Sequence, residues 1–120
     1  MPDDPTGVHA DYPITIGCQE VKQLQDERAS FLLLDCRNPD EFQAVHLEGA
    51  TLVPMQELPQ RIHEVEPFRD QRIVVYCHLG GRSMQVTEWL RHHGFHKAQN
   101  MVGGIDAWAC TIDTSLPRYQ

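Results

Sequence analysis

The chain has 120 residues and a formal net charge of −7, which fits a single domain and argues against a nucleic-acid-binding protein. No apolar run is long enough to span a membrane, and the start lacks the basic and apolar regions of a signal peptide, so we expect a cytoplasmic protein. Four scattered cysteines without a C-x-x-C pair predict reduced thiols, and their spacing does not fit a zinc site.

Apolar runs alternate with helical patterns along most of the chain. Strands are predicted at 14–16, 31–34, 50–53, 72–76 and 98–102. Helices are predicted at 19–28, 39–45, 83–93 and from Gly103-Gly104 through 108, with one or two short helices within 55–69. This alternation predicts an α/β fold with a central parallel sheet of about five strands and helices on both faces. We expect a domain over residues 14–110, a loosely ordered arm over 1–13 and an irregular tail over 111–120.

The predicted central strand ends in a cysteine, and a loop and a helix follow in the segment CHLGGRS, residues 77–83. Ligands bind at the carboxyl ends of parallel strands, and a helix amino terminus presents unpaired amides with partial positive charge. Such a setting favours thiolate over thiol, so Cys77 is the predicted nucleophile. The backbone amides of residues 78–82 should surround its sulfur, with Gly80 and Gly81 providing the unusual backbone angles.

The remaining side chains near the loop are expected to shape it. Ser83 is expected to cap the helix or bond the loop. We expect His78 to be an exposed specificity residue, with substrate binding or tuning of the thiolate as the alternative, and Leu79 to line the pocket rim. Cys36, beside the site by topology, is expected to be a small buried side chain, although it could act as a resolving thiol that forms a disulfide.

Four polar residues follow the preceding strand and are expected to brace the loops around Cys77. They are Asp35, Arg37, Glu41 and His46. A general acid or base role for Asp35 or Arg37 is the alternative. Arg82 could bind a substrate anion, or it could point inward and pair with Asp35 or Glu41, and the sequence leaves both possibilities open.

The charged residues are unevenly distributed along the chain. Residues 1–70 hold fourteen acidic and five basic side chains, whereas residues 71–100 hold four basic and one acidic. Because the basic segment contains Cys77, it predicts cations gathered around the thiol to attract a small anion, with chance as the alternative.

Four motifs in order resemble the rhodanese domain of the sulfurtransferase family, between about residues 14 and 108. They are LLLDCR (32–37), EFQAVHLEGA (41–50), CHLGGRS (77–83) and GFHKAQNMVGGIDAW (94–108). The main departure is Val45, where the family usually has glycine. The ending with Asp113 and Pro117-Arg118-Tyr119 also resembles rhodanese domains appended to sulfur-carrier adenylyltransferases.

The resemblance implies a sulfurtransferase that needs no cofactor. Cys77 would take sulfane sulfur from a small anionic donor, thiosulfate or a persulfide, and pass it to cyanide, a thiol or a carrier protein. Two alternatives remain open. One is a phosphatase or arsenate reductase on the same fold, although cysteine phosphatases have five residues between cysteine and arginine and this loop has four. The other is a non-enzymatic redox-sensing or interaction module.

Overall fold

A five-stranded parallel sheet forms the centre of the computed structural model, which describes residues 12–120. Its strands are β1 (Thr15–Ile16), β2 (Leu32–Asp35), β3 (Thr51–Leu52), β4 (Ile73–Tyr76) and β5 (Ala98–Met101), in the order β1-β5-β4-β2-β3. All neighbouring strands are parallel. The predicted parallel α/β architecture is therefore confirmed, while the predicted arm lies outside the described residues except for its last two positions.

Strand β4 lies at the centre of the sheet because it is apolar on both faces. Its residues Ile73–Tyr76 are buried, and β-branched side chains suit a strand covered on both sides. Alternate residues along β4 enter two hydrophobic clusters, one on each face. Ile73 and Val75 pack with Val86 and Leu90, whereas Val74 and Tyr76 pack in the opposite cluster. Cys77, which follows β4, packs in the same cluster as Ile73 and Val75.

Four α-helices accompany the sheet: α1 (Cys18–Asp26), α2 (Pro39–Ala44), α3 (Gly81–His92) and α4 (Gly104–Thr111). Helix α3 begins two residues earlier than predicted, because Gly80 takes a left-handed backbone angle (φ +107°) and caps the helix. Helix α4 extends three residues beyond the predicted end at Trp108.

Residues 55–69 form three single-turn 3₁₀ helices in place of the one or two helices expected. Their bounds are Met55–Glu57, Ile62–Glu64 and Glu66–Phe68. Proline lacks a backbone donor, so Pro59 and Pro67 interrupt any longer helix in this segment. None of the helices within residues 12–120 has the length and apolar character needed to cross a membrane.

Candidate active site

The loop after β4 folds back so that its donors point at one sulfur atom. The amide of Gly80 lies 3.1 Å from the Cys77 Sγ, and the amide of Ser83 lies 3.4 Å from it. The Ser83 hydroxyl is 3.2 Å from the same sulfur. Three donors on one sulfur stabilise a negative charge there, as expected at the beginning of α3.

These donors act against the effect of burial on the Cys77 thiol, which is only 1% exposed. Burial by itself raises the pKa of the thiol. The hydroxyl of Ser83 and the amides of Ser83, Gly80 and Leu79 outweigh burial, so the pKa of Cys77 lies below its ordinary value. Cys77 is therefore a buried sulfur with raised thiolate character.

Two glycines shape the loop, but they are not the adjacent pair that was expected. Gly80 has a positive φ, whereas Gly81 is the first residue of α3 and has open space where a Cβ would lie. The second required glycine is Gly104 (φ +63°), because a Cβ there would overlap the carbonyls of Cys77 and His78. The expectation for Gly81 was wrong, since the helix begins there and needs no unusual angle.

Helix α4 holds the backbone of the loop from the other side. The amide of Ile105 donates to the Cys77 carbonyl at 2.9 Å, and the amide of Asp106 donates to the His78 carbonyl at 3.1 Å. These are first-turn amides of α4 that have no partner within their own helix. The close approach of α4 to the loop explains why Gly104 must lack a side chain.

Arg82 closes the loop by pairing with Glu41 rather than by facing open solvent. Its Nη1 and Nη2 lie 2.8 Å and 2.9 Å from the two Glu41 carboxylate oxygens. The amide of Asn38, the N-cap residue of α2, also donates to Glu41 at 3.1 Å. The Arg82 hydrogen bonds outweigh partial burial and lower the pKa of Glu41 to about 2. Of the two possibilities for Arg82, the structure shows the inward ion pair.

Asp35 and Arg37 form a fully buried ion pair beneath the loop. Arg37 Nη2 lies 2.7 Å from Asp35 Oδ2, Arg37 Nε lies 2.9 Å from Oδ1, and both side chains are 0% exposed. Arg37 Nη2 also donates to the Val45 carbonyl at 2.6 Å. Both charges are fully buried and paired with each other, an arrangement that suits a bracing role.

Tyr119, which the sequence analysis named only as part of the chain's ending, is a site residue that was not predicted. Its hydroxyl lies 2.9 Å from Arg37 Nη1 and 2.6 Å from Glu41 Oε2. Its ring stacks on His78 with ring centroids 4.0 Å apart. The chain forms no helix or strand between Thr111 and Gln120, yet Tyr119 packs against the candidate active site.

Two histidines that were predicted as site residues, His78 and His46, have surroundings other than those expected. His78 lies half-buried under Tyr119, so the expectation of an exposed side chain was wrong. His46 is exposed, stacks on Phe42 and contacts the Phe42 carbonyl through Nδ1 at 2.8 Å, away from the loop. The exposed loop side chain is Leu79, which is 63% exposed.

Asn100, which is buried, is a second site residue that was not predicted from the sequence. Its Oδ1 accepts from the Ser83 hydroxyl at 2.5 Å, and its Nδ2 donates to the Gly80 carbonyl at 3.3 Å. Asn100 therefore orients both residues whose groups reach the Cys77 sulfur. A signal was available, because a polar residue in a strand beside β4 has to find a buried partner.

Cys36 lies beside Cys77 on the neighbouring strand, since Asp35 pairs with Tyr76 in the sheet. Its thiol is buried and faces the Tyr76 carbonyl at 3.5 Å. Burial, followed by the nearby charges of Cys77 and Asp35, raises the pKa of Cys36 well above its ordinary value. Cys36 is thus a buried thiol with little thiolate character.

The cations of residues 71–100 do not gather around Cys77, so that prediction was wrong. Arg72 and Lys97 both contact the ring of Tyr12, and Arg91 donates to the Tyr12 carbonyl at 2.6 Å. Arg72 and Lys97 precede β4 and β5, and the beginnings of parallel strands lie at the opposite edge from their ends. Among these cations Arg82 alone reaches the loop. Within residues 12–120, no group of three or more histidines, cysteines and carboxylates could hold a metal ion.

Comparison with known protein families finds one match that covers most of the chain. The model of the Rhodanese-like domain matches residues 18–110. Among curated proteins, the chain is 36% identical over 91 residues to a Rhodanese-like/PpiC domain-containing protein 12, chloroplastic, from Arabidopsis thaliana, covering 72% of this chain and 30% of that protein. It is 30% identical over 109 residues to the adenylyltransferase and sulfurtransferase MOCS3-1 from Zea mays, covering 87% and 23%. The chain thus spans less than a third of the length of either relative.

Solved structures agree with this match. A rhodanese-like domain protein from Staphylococcus aureus superposes with a TM-score of 0.75 at 26% identity, covering 90% of this chain and all of that one. A thiosulfate sulfurtransferase from Pseudomonas aeruginosa superposes with a TM-score of 0.73 at 31% identity, covering 83% of this chain and 19% of that one. The range matched by the family model includes Cys77.

Proposed function

The chain belongs to the rhodanese-like domain family, and from this premise we propose that it transfers sulfane sulfur through a persulfide on Cys77. The observation that supports this most is the convergence of the Gly80 amide, the Ser83 amide and the Ser83 hydroxyl on the Cys77 sulfur. The same donors that stabilise a thiolate can stabilise the negative charge of a persulfide.

The first half-reaction is an attack on sulfur. The Cys77 thiolate attacks the outer sulfur of a donor such as thiosulfate, and a new sulfur–sulfur bond forms on Cys77. The sulfur–sulfur bond of thiosulfate breaks, and sulfite leaves with its electron pair. The loop donors hold Sγ in place during this exchange and receive the charge that moves to the terminal sulfur.

The second half-reaction removes that sulfur. A nucleophile, either cyanide or a thiolate, attacks the terminal sulfur, the bond to Cys77 breaks, and the Cys77 thiolate is regenerated. The products are thiocyanate or an acceptor persulfide, so atoms and electrons balance without a cofactor. The name of the Zea mays relative includes sulfurtransferase, which supports this class of reaction.

A steady-state assay with thiosulfate and cyanide tests the proposal through formation of thiocyanate. We expect turnover by the wild type and no turnover by Cys77→Ser. Cys110→Ser is the matched control. Cys110 is an exposed thiol in α4, so this variant should retain full activity. Equal loss in both variants, or persistence of turnover in Cys77→Ser, contradicts the proposal.

A phosphate ester and arsenate serve as competing substrates in the same experiment. The loop holds four residues between Cys77 and Arg82, and the guanidinium of Arg82 is occupied by Glu41. We therefore expect neither phosphatase nor arsenate reductase activity. Faster turnover of either substrate than of thiosulfate contradicts sulfur transfer as the function.

A further inference from the structure

Tyr119 is linked to both ends of the loop that surrounds the Cys77 sulfur. The loop begins with His78, whose ring stacks directly on the Tyr119 ring. It closes at Arg82, which Tyr119 reaches through the carboxylate of Glu41. One side chain from the end of the chain therefore contacts the first loop residue directly and the last through a single shared carboxylate.

The hydroxyl of Tyr119 makes the contact with Glu41. It donates to Glu41 at 2.6 Å and accepts from Arg37 Nη1 at 2.9 Å. Burial and the hydrogen bond to Glu41 raise the pKa of Tyr119 to about 12, so the phenol keeps its proton at neutral pH. The hydroxyl thereby links two ion pairs, Asp35–Arg37 and Glu41–Arg82, that otherwise brace the loop separately.

The ring of Tyr119 is the second contact. Within residues 12–120, the His78 Nε2 is buried and has no hydrogen-bond partner among the protein groups. The ring planes of His78 and Tyr119 are 16° apart, which is a stacked geometry. Without Tyr119, this face of the His78 ring would lose its stacking partner.

The tail that carries Tyr119 is attached along its length. Leu116 and Tyr119 pack against the hydrophobic cluster on the α4 side of the sheet. Arg118 pairs with Asp106 of α4 at 2.9 Å, and the backbone amide of Asp106 donates to the His78 carbonyl. These contacts fix the position of Tyr119 relative to the loop.

We propose that Tyr119 is a positioning residue of the active site, which clamps the two ends of the Cys77 loop so that its donors converge on the sulfur. The clamp acts through His78 and Glu41, and Tyr119 itself need not touch substrate. The part of this inference that concerns sulfur transfer rests on the proposed function, but the part that concerns thiol reactivity does not.

Two variants separate the contacts. Tyr119→Phe removes the hydroxyl and keeps the stacked ring, whereas Tyr119→Ala removes both. Tyr12→Phe is the matched control, because Tyr12 lies before β1, at the edge of the sheet away from Cys77. All variants carry Cys110→Ser, so that the exposed thiol does not contribute to the signal.

The first readout is the pH profile of the reaction of Cys77 with a small disulfide reagent, recorded while circular dichroism shows the variant to be folded. The second readout is the rate of persulfide formation from thiosulfate. We expect Tyr119→Ala to move the reactivity profile to higher pH and to slow persulfide formation on the order of tenfold, since displaced donors stabilise the sulfur less well. Tyr119→Phe should lie between Tyr119→Ala and the wild type.

The inference is overturned if both variants keep the wild-type profile and rate and lose thermal stability alone, because Tyr119 would then only hold the tail in place. It is also overturned if Tyr12→Phe gives the same changes. If no variant and no wild type forms a persulfide while the reactivity profile still moves, the proposed function fails and the positioning role of Tyr119 is supported.

Discussion

Replacing Ser83 with alanine tests how the loop activates the sulfur. The Ser83 hydroxyl has one proton and two acceptors within reach, the Cys77 sulfur at 3.2 Å and Asn100 Oδ1 at 2.5 Å. When Cys77 is a thiolate, its charge competes with Asn100 for that proton. Ser83→Ala removes this donor and leaves the amides of Gly80 and residue 83 in place, so the pKa of Cys77 should rise.

The size of the effect follows from the type of bond that is lost. A hydrogen bond to a charged group contributes about 1.5 to 3 kcal/mol, and a proton shared with Asn100 places this bond at the lower end, about 1.5 kcal/mol. That energy corresponds to about a tenfold smaller thiolate fraction at a pH below both pKa values. A more basic thiolate is also about threefold more nucleophilic toward disulfides. The net rate should therefore fall about threefold at low pH and rise about threefold at high pH.

The assay is the reaction of Cys77 with a disulfide reagent across pH, in a Cys110→Ser background. Thr87→Val is the matched control, because the buried Thr87 hydroxyl lies one turn along α3 and donates to the Ser83 carbonyl rather than to sulfur. The reasoning predicts a crossing of the Ser83→Ala and wild-type curves and no crossing for Thr87→Val. Parallel curves for Ser83→Ala, or a crossing for Thr87→Val, would refute it.

Three further variants test the framework around the loop. The pKa of Glu41 is about 2 in the folded protein and about 4.5 in the unfolded chain. Its ionised form therefore contributes stability at a pH above about 4.5, and this stability is lost as the pH falls toward about 2. Glu41→Gln should therefore flatten the loss of stability between these pH values, as measured by urea midpoints, and an unchanged acid limb would contradict this. Arg37→Lys cannot reproduce the forked contacts to buried Asp35 and should cost about 3 kcal/mol in urea unfolding, whereas a cost below about 1 kcal/mol would show that the pair is replaceable. Gly104→Ala should lower both the thermal midpoint and Cys77 reactivity, because its Cβ overlaps the loop carbonyls, while Gly81→Ala, with open space at its Cβ, should change neither. Equal effects of the two glycine variants would contradict the close approach of α4 to the loop.

Local patterns were sufficient to predict the elements that form the site. The run Ile73–Tyr76 is β-branched and apolar, so it predicted the central strand, and the cysteine and glycines after it predicted the loop and α3. The Arg82–Glu41 pair was one of two possibilities from sequence, and deciding between them required the distance. Each of these features depends on residues that are close in sequence or on one ion pair.

The missed residues depend on contacts between distant segments. Tyr119 follows a stretch without periodicity and meets Glu41 across 78 residues of chain, so no local signal marks it. Asn100 is a polar residue of β5, and its role becomes clear only from its hydrogen bond with Ser83, which lies in another segment of the chain. The cations are not around Cys77 because nearness in sequence does not place them there: Arg72 precedes β4 and Cys77 follows it, so the two lie at opposite ends of the strand.

The central claim is that Cys77 carries the transferred sulfur. Intact mass before and after incubation with thiosulfate, without reductant, tests it most directly in the wild type and in Cys77→Ser. The account predicts a gain of one sulfur atom in the wild type that cyanide reverses, and no gain in the variant. An unchanged wild-type mass while Cys77 still reacts with a disulfide reagent, or an equal gain in Cys77→Ser, would contradict it.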